Sequence, residues 1–461
     1  MDIFGIFLSV ALMILLAYGG ASVIVISPAM ALLAVLISSG PGELLAHYTQ
    51  IFMVKLGGFV MSYFPLFMLS AIFGKIMEYS GSAKSISNYI SEKIGAKNAI
   101  LAVVLSCSIL TYGGISLFVV AFTVYPIAVE LFRRSNTPKR LIPGAVAVGS
   151  FTYTMTSLPG TPAIQNAIPS QYFGTNTFAA PGISMIISIL FFALGMLWMN
   201  HRRSEAIRNH EGYGENYSAV SANTPQENLP NFWLATIPII FVIAISYVCV
   251  KYILPNVDTD YLQSEKFGKA SLGTIAGNWS IITALFAAMV FAIVTNFKRI
   301  DITKCLNIGS SESLVPIFNT ASVVGYGAVI SGLAGFSQIR DSLLSITTGD
   351  PLMAGAVTTG LLSGITGSAS GGLSLSLEMF GAKFLAMANA SGINPEILHR
   401  IVSLASGTLH ALPHNGAFIT LLAVCGLSHR ESYKDLFVVC LVFSLIVTLA
   451  AILVNAIFGT F

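Results

Sequence analysis

Charge is scarce in this chain. Asp, Glu, Lys and Arg together make up 9% of its 461 residues, where soluble domains carry about a quarter. That scarcity excludes a water-soluble globule, because too little polar surface exists to cover a core built from 55% apolar residues. Cysteine is also sparse. Cys107, Cys249, Cys305, Cys425 and Cys440 stand without pairs or metal-ligand spacing, so they read as reduced, buried small residues rather than a redox or metal centre. Catalytic signatures are missing too. There is no G-x-x-x-x-G-K-[S/T] phosphate loop, no H-E-x-x-H and no G-x-S-x-G, which argues against ATP-driven transport through that loop and against an enzyme. No basic segment precedes the first apolar run, Ile3 to Ala17, so that run reads as a membrane span and not a secretory signal. A net charge of +3 gives no basis for a nucleic-acid partner.

What remains is apolar sequence of mean hydropathy +0.79, a polytopic all-α protein whose partner is the lipid bilayer. Runs of roughly 17–25 residues cross the hydrocarbon. They are expected near 3–18, 21–38, 58–79, 141–164, 180–199, 232–253, 278–296, 312–334, 397–426 and 435–458. Two further stretches, 98–132 and 352–390, are too long for one span. Glycine and serine interrupt both in the middle, at Tyr112–Ser116 (YGGIS) and at Ser368–Ser374 (SASGGLS). Lipid cannot satisfy the backbone of such a break, so it lies in protein or in a wet cavity. Both stretches read as re-entrant hairpins, against the competing reading of two kinked spans each.

The chain repeats itself. Gly81, Gly95, Thr154, Leu158-Pro159 and Ala163 recur 254 residues later as Gly335, Gly349, Thr408, Leu412-Pro413 and Ala417. The glycine pairs Gly113-Gly114 and Gly371-Gly372, with Ser116 and Ser374 beyond them, suggest matching tips at a spacing of 258. A hydrophilic linker, 201–231, then separates an N-terminal repeat, 1–200, from a C-terminal repeat, 232–461. Segments 80–97, 133–140, 200–231, 297–310 and 427–434 hold 15 of the 23 Lys and Arg residues. By the positive-inside rule these segments are cytoplasmic. Both termini then fall outside, equivalent loops lie on opposite faces, and the repeats are inverted. Asn136 is expected inside and Gly392 outside. Inverted repeats with broken helices mark secondary transporters, with substrate held near the midplane.

Four broken segments carry the candidate chemistry. Besides the two tips they are Thr156–Pro162 (TSLPGTP) and His410–Gly416 (HALPHNG). Proline removes a donor and opens the helix. The freed amides and half-helix N-termini suit a carboxylate. Candidate substrate contacts are Gly113, Gly114, Ser116, Thr156, Ser157, Gly160, Thr161, Ser368, Ser370, Gly371, Gly372, Ser374 and Asn415. The competing reading is that Gly, Ser and Pro merely let helices pack closely. His410 and His414 stand in apolar context, and the other half has Thr156 and Gly160 in their places. They are candidates both for substrate contact and for taking up a coupling proton. Glu378 is a second proton candidate, or else an ion-pair partner of Lys383 or Arg400. Glu130 reads as paired with Arg133-Arg134. Arg400, at the start of a span, is expected to snorkel to the surface, and His399 to sit at a span end.

The chain resembles the gluconate permease family of the ion-transporter superfamily, and within it the branch of hydroxybutyrate permeases. The resemblance rests on Ser157–Asn166 (SLPGTPAIQN), Tyr172–Pro181 (YFGTNTFAAP), Ser368–Ser374, Leu412–Ala417 (LPHNGA) and Leu421–Leu427 (LLAVCGL). It spans essentially the whole chain. It implies proton-coupled symport of a small hydroxylated monocarboxylate such as gluconate or 3-hydroxybutyrate, and it adds Asn166 to the substrate contacts. It also implies a bacterial inner-membrane location, a homodimer, and transport domains that move like elevators against a scaffold. No cofactor is implied beyond the proton. The Ser-Asn-Thr sodium motifs of the superfamily are absent, which leaves sodium as an alternative coupling ion beside a passive facilitator or channel.

Overall fold

In the computed structural model, residues 2–461 are described apart from 20, 215–227, 347–348 and 414. Part of the linker and one candidate, His414, therefore lie outside the described residues. All regular structure among the described residues is helical. The first half runs α1 (Asp2–Tyr18), α2 (Val23–Ser38), α3 (Pro41–Tyr79), α4 (Ser82–Ile94), α5 (Ala99–Tyr112), α6 (Leu117–Arg134), α7 (Ile142–Ser150), α8 (Ile164–Phe173) and α9 (Pro181–Arg208). The second half runs α10 (Phe232–Asn256), α11 (Leu272–Asn296), α12 (Ile302–Gly332), α13 (Phe336–Ile346), α14 (Pro351–Thr366), α15 (Ala369–Ala390), α16 (Pro395–Ser406), α17 (Gly416–Cys425) and α18 (His429–Phe458).

The first residues of α4 to α8 recur 252 to 254 positions later as those of α13 to α17. Packing repeats with them. Helix α3 lies along α12, α2 against α12 as α11 against α3, and α10 against α4 as α1 against α13. Helix α8 crosses to α15 as α17 crosses to α6. Each half thus completes the other's core, and α9 closes against α18.

Lengths separate spanning helices from broken ones. At 1.5 Å per residue the 28 residues of α9 and the 31 of α12 reach about 42 and 46 Å, more than the ~30 Å hydrocarbon. The 14 residues of α5 and the 12 of α16 reach only about 21 and 18 Å, too short to cross it alone. Among the described residues six helices are long and apolar enough to cross alone, namely α3, α9, α10, α11, α12 and α18. Helix α4 meets α5 at a bend of 103° around Gly95.

Both long apolar stretches break where glycine and serine interrupt them, but the register of the second tip is corrected. Helix α5 ends at Tyr112, and Ser116 caps α6 by accepting from Val119 N. In the other hairpin α14 ends at Thr366, Gly367 turns the chain at φ +59°, and Ser368 caps α15 by accepting from Gly371 N. Ser116 therefore matches Ser368, a spacing of 252, and Gly371, Gly372 and Ser374 lie inside the first turns of α15. A methyl group on Gly372 would overlap the Ser363 backbone, so this glycine serves the close crossing of α14 and α15.

Candidate functional site

The broken segment of the first half is built around hydrogen bonds to its own backbone. After α7 ends, residues Tyr153–Thr156 form one helical turn, and the chain stays irregular until Ala163. Thr156 Oγ1 donates to Thr152 O, Ser157 Oγ to Tyr153 O and Thr161 Oγ1 to Thr154 O, at 2.8 to 3.2 Å. Ser188 on α9 also donates to Ser157 Oγ at 2.9 Å. Gly160 takes φ +78° with the Phe178 ring against it, a place no side chain fits. Asn166 Nδ2 donates to Thr161 O and Thr177 O, both at 2.9 Å. These hydroxyls and this amide are spent on holding the break open, because the missing helical hydrogen bonds require substitutes in a buried place.

The second break is built likewise. Asn415 Oδ1 accepts from Ala417 N and Phe418 N to cap α17, while its Nδ2 donates to His410 O at 2.8 Å. Tyr433 Oη donates to Ala411 O at 2.7 Å. His410 sits in the turn Leu409–Ala411, 2% exposed and against the Phe418 ring. The Gly407 backbone lies beside the ring, and among the described residues neither ring nitrogen makes a hydrogen bond of good geometry.

The breaks meet. A methyl group on Gly407 would stand 3.2 Å from Thr156 Cγ2, and Phe151 packs on Phe418. The first tip joins them, since Tyr112 Oη donates to Pro159 O at 2.7 Å and Gly114 abuts Pro162. The second hairpin reaches its own break through Gly364, which faces Leu409 and Leu412. Its tip serines turn elsewhere. Ser370 Oγ lies 3.4 Å from Ser368 Oγ and 3.5 Å from Thr320 Oγ1 on α12, and Ser374 Oγ donates to Ser370 O. The structure thus joins Gly114, Thr156, Gly160, Thr161 and Asn166 to His410 and Asn415, and shows no such contact for Ser368, Ser370 or Ser374.

Three expectations are corrected by burial. Arg400 does not snorkel; it is 0% exposed, and its guanidinium donates to Thr156 O, Asn166 Oδ1 and Ala179 O at 2.9, 3.0 and 3.1 Å. His399 does not sit at a surface end either. Its Nδ1 pairs with Thr175 Oγ1 at 2.7 Å and its Nε2 with Asn166 Oδ1 at 3.2 Å. Glu378 pairs with neither Lys383 nor Arg400 but with Lys55 Nζ at 2.7 Å, and it accepts from Tyr172 Oη at 3.3 Å. Glu130 pairs with Arg134 as read, at 2.6 Å. Position in a span misplaced Arg400 and His399, because the stretch 174–180 folds over them. Only the polar run Thr175-Asn176-Thr177 within an apolar context hinted at buried donors needing partners.

A crevice of about 910 Å³ opens between α4 and the C-terminal part of α6, reaching from Glu130 and Arg134 up to Phe122 and Thr123. Phe122 lies fewer than two helical turns from Ser116, so the crevice approaches the first tip.

Comparison with known proteins agrees with this architecture. The family description "GntP family permease" matches residues 1–457. The uncharacterized transporter YxjC of Bacillus subtilis (strain 168) is 42% identical over 96% of both chains. An uncharacterized transporter of Haemophilus influenzae is 27% identical over 170 residues, covering 37% of this chain and 38% of its own. Among solved structures, the Alcanivorax borkumensis YdaH transporter, described as having an unusual topology, superposes with a TM-score of 0.57 at 16% identity over 91% of this chain and 90% of its own. That likeness concerns the fold. A family of permeases agrees with the expectation that the chain is not an enzyme. With six helices able to cross a bilayer, the chain is a multi-pass membrane transporter of the GntP permease family.

Proposed function

We propose that this protein imports a small hydroxylated monocarboxylate, of the size of gluconate or 3-hydroxybutyrate, together with a proton across a bacterial inner membrane. The observation that carries this reading is the meeting of two interrupted helices at Thr156 and Gly407. The N-termini of α8 and α17 start at these breaks, where the positive end of the helix dipole favours a carboxylate. His410 supplies the proton site: among the described residues its buried imidazole makes no hydrogen bond of good geometry, a need that a proton, a water or a substrate hydroxyl fills. Moving a bare monocarboxylate inward opposes the membrane potential by about 2.3 kcal/mol per 100 mV, and one co-transported proton cancels that cost. The two halves are inverted repeats, in this reading, with both termini outside, and the hairpins with their broken helices move against α3 and α12 within each protomer of a homodimer.

Reconstitution tests it. In proteoliposomes, labelled gluconate or 3-hydroxybutyrate should accumulate when the outside is made acidic, and a protonophore should abolish the accumulation. Equilibration without accumulation would mean a passive facilitator. Accumulation that follows a sodium gradient at constant pH would mean sodium coupling.

A further inference from the structure

The two breaks close their freed carbonyls differently. In the second half neutral donors do so, with Asn415 Nδ2 on His410 O and Tyr433 Oη on Ala411 O. At a spacing of 254, His410 answers to Thr156 and the donor Tyr433 to Ala179; in the first half the carbonyls of Thr156 and Ala179 are both held by a charge. Arg400 reaches Thr156 O and Asn166 Oδ1 with Nη1 and Ala179 O with Nη2. No carboxylate stands within ion-pair distance of it among the described residues. Glu396, one turn away on α16, is engaged with Ala180 N at 3.0 Å. The Arg400 Nε is also buried without a partner.

Two backbone carbonyls of unwound chain and a side-chain amide oxygen, converging on one buried group, form the kind of ligand set with which broken-helix transporters hold a small hard cation. Here that set is filled from within. We propose that Arg400 is a tethered cation: its guanidinium permanently occupies the oxygen cage of the first break and excludes sodium from it. This rests on the reading of the breaks as the transport site. The position equivalent to Arg400 in the first half, 254 residues earlier, is Val146, so the second break has no such charge. Both side chains come from the second half, but the fixed charge of Arg400 sits at the first break and the His410 ring at the second.

The test uses purified full-length protein in detergent, with thermal unfolding followed in sodium chloride and in choline chloride at equal ionic strength. Wild type should unfold at the same temperature in both salts. Arg400→Ala removes the guanidinium from the cage, leaving His399 on Asn166 Oδ1 and Ser184 on Ala179 O, so its midpoint should fall in choline and recover in sodium by about 2 °C or more. Arg400→Lys keeps a tethered ammonium and should stay insensitive to sodium. Sodium-specific stabilisation of wild type or of Arg400→Lys would overturn the proposal, as would an Arg400→Ala protein that sodium does not rescue. If Arg400→Ala cannot be isolated, wild type and Arg400→Lys still decide. No transported acid enters this measurement, so its failure leaves the symport reading standing, and failed uptake in liposomes leaves the cage assignment standing.

Discussion

His410 and Glu378 are both acid–base groups within helical segments, and their surroundings assign them different work. Glu378 already has a cation, Lys55, and a phenol, Tyr172, as partners. His410 makes no hydrogen bond of good geometry among the described residues. In the proposed symport, a group that carries a proton through a cycle needs a state in which its sites are open, which makes His410 the stronger candidate for coupling. His410→Gln should abolish accumulation of labelled acid under a pH gradient while leaving exchange of labelled for unlabelled acid near the wild-type rate, since exchange moves no net proton. Glu378→Gln should still accumulate substrate, with lower stability as its main defect, because Lys55 loses its counterion. Loss of accumulation in Glu378→Gln alone would reverse the assignment. The burial of His410 was legible in the sequence as a histidine inside an apolar run. The role of Arg400 was not, because a long side chain near a span end reaches water in most contexts. Its burial depends on residues 166 and 179, more than 200 positions away.

Hairpin arms depend on a few close approaches, and these can be tested one glycine at a time. The Cβ of Gly372→Ala would overlap the Ser363 backbone, whereas that of Gly416→Ala meets nothing within 4 Å. Gly372→Ala should therefore cost about 1–3 kcal/mol through forced separation of α14 and α15. Gly416→Ala should be close to neutral, and the two are compared by thermal unfolding in the same detergent. The sequence exposed both breaks but misaligned the second tip, since a Gly-Gly pair looks alike in a turn and at a helix crossing. The serine that caps the next helix is the better marker: it must be the first residue outside the helix, so Ser116 and Ser368 set the register. Linker attachment is an element-scale device as well. Arg140 holds Glu211 through two bonds of 2.6 and 2.7 Å, and the guanidinium keeps the Glu211 carboxyl below the usual carboxylate range. The folded value is the depressed one, so this contact is at full strength above the ordinary range and is lost as pH falls through the depressed value. Hydrogen-exchange protection of residues 209–214, corrected for the intrinsic rate, should hold from neutral pH downward and fall only in that acidic window. In Arg140→Gln it should already be low at neutral pH.

Across the whole molecule, the five segments that the charge count groups together are drawn into one surface. Arg202 on α9 donates to Asp435 on α18 at 2.7 Å, and Trp198 joins it. Ser432 reaches Arg140 O, Arg203 reaches Lys97 O, and Lys304 lies over the Tyr79 ring. The grouping was legible because lysine and arginine counts are a property of composition. Its physical cause here is that these charges find one another where the helices end. Asp435 is 0% exposed, so removing its partner by Arg202→Gln should destabilise the fold by about 3–5 kcal/mol. Which side of the membrane this surface faces is a matter for labelling. Asn136 and Gly392 are the natural pair in sequence, but Asn136 Oδ1 accepts from Tyr213 N and Gly392 holds φ +67°. Lys298 and Ser391 are exposed and free of those duties, and all five native cysteines are buried, so background reaction is small. A membrane-impermeant maleimide added to intact cells should label Ser391→Cys at once and Lys298→Cys only after the cells are opened. Labelling of both from the same side would remove the inverted arrangement, because the equivalent loops of the two halves would then no longer lie on opposite faces.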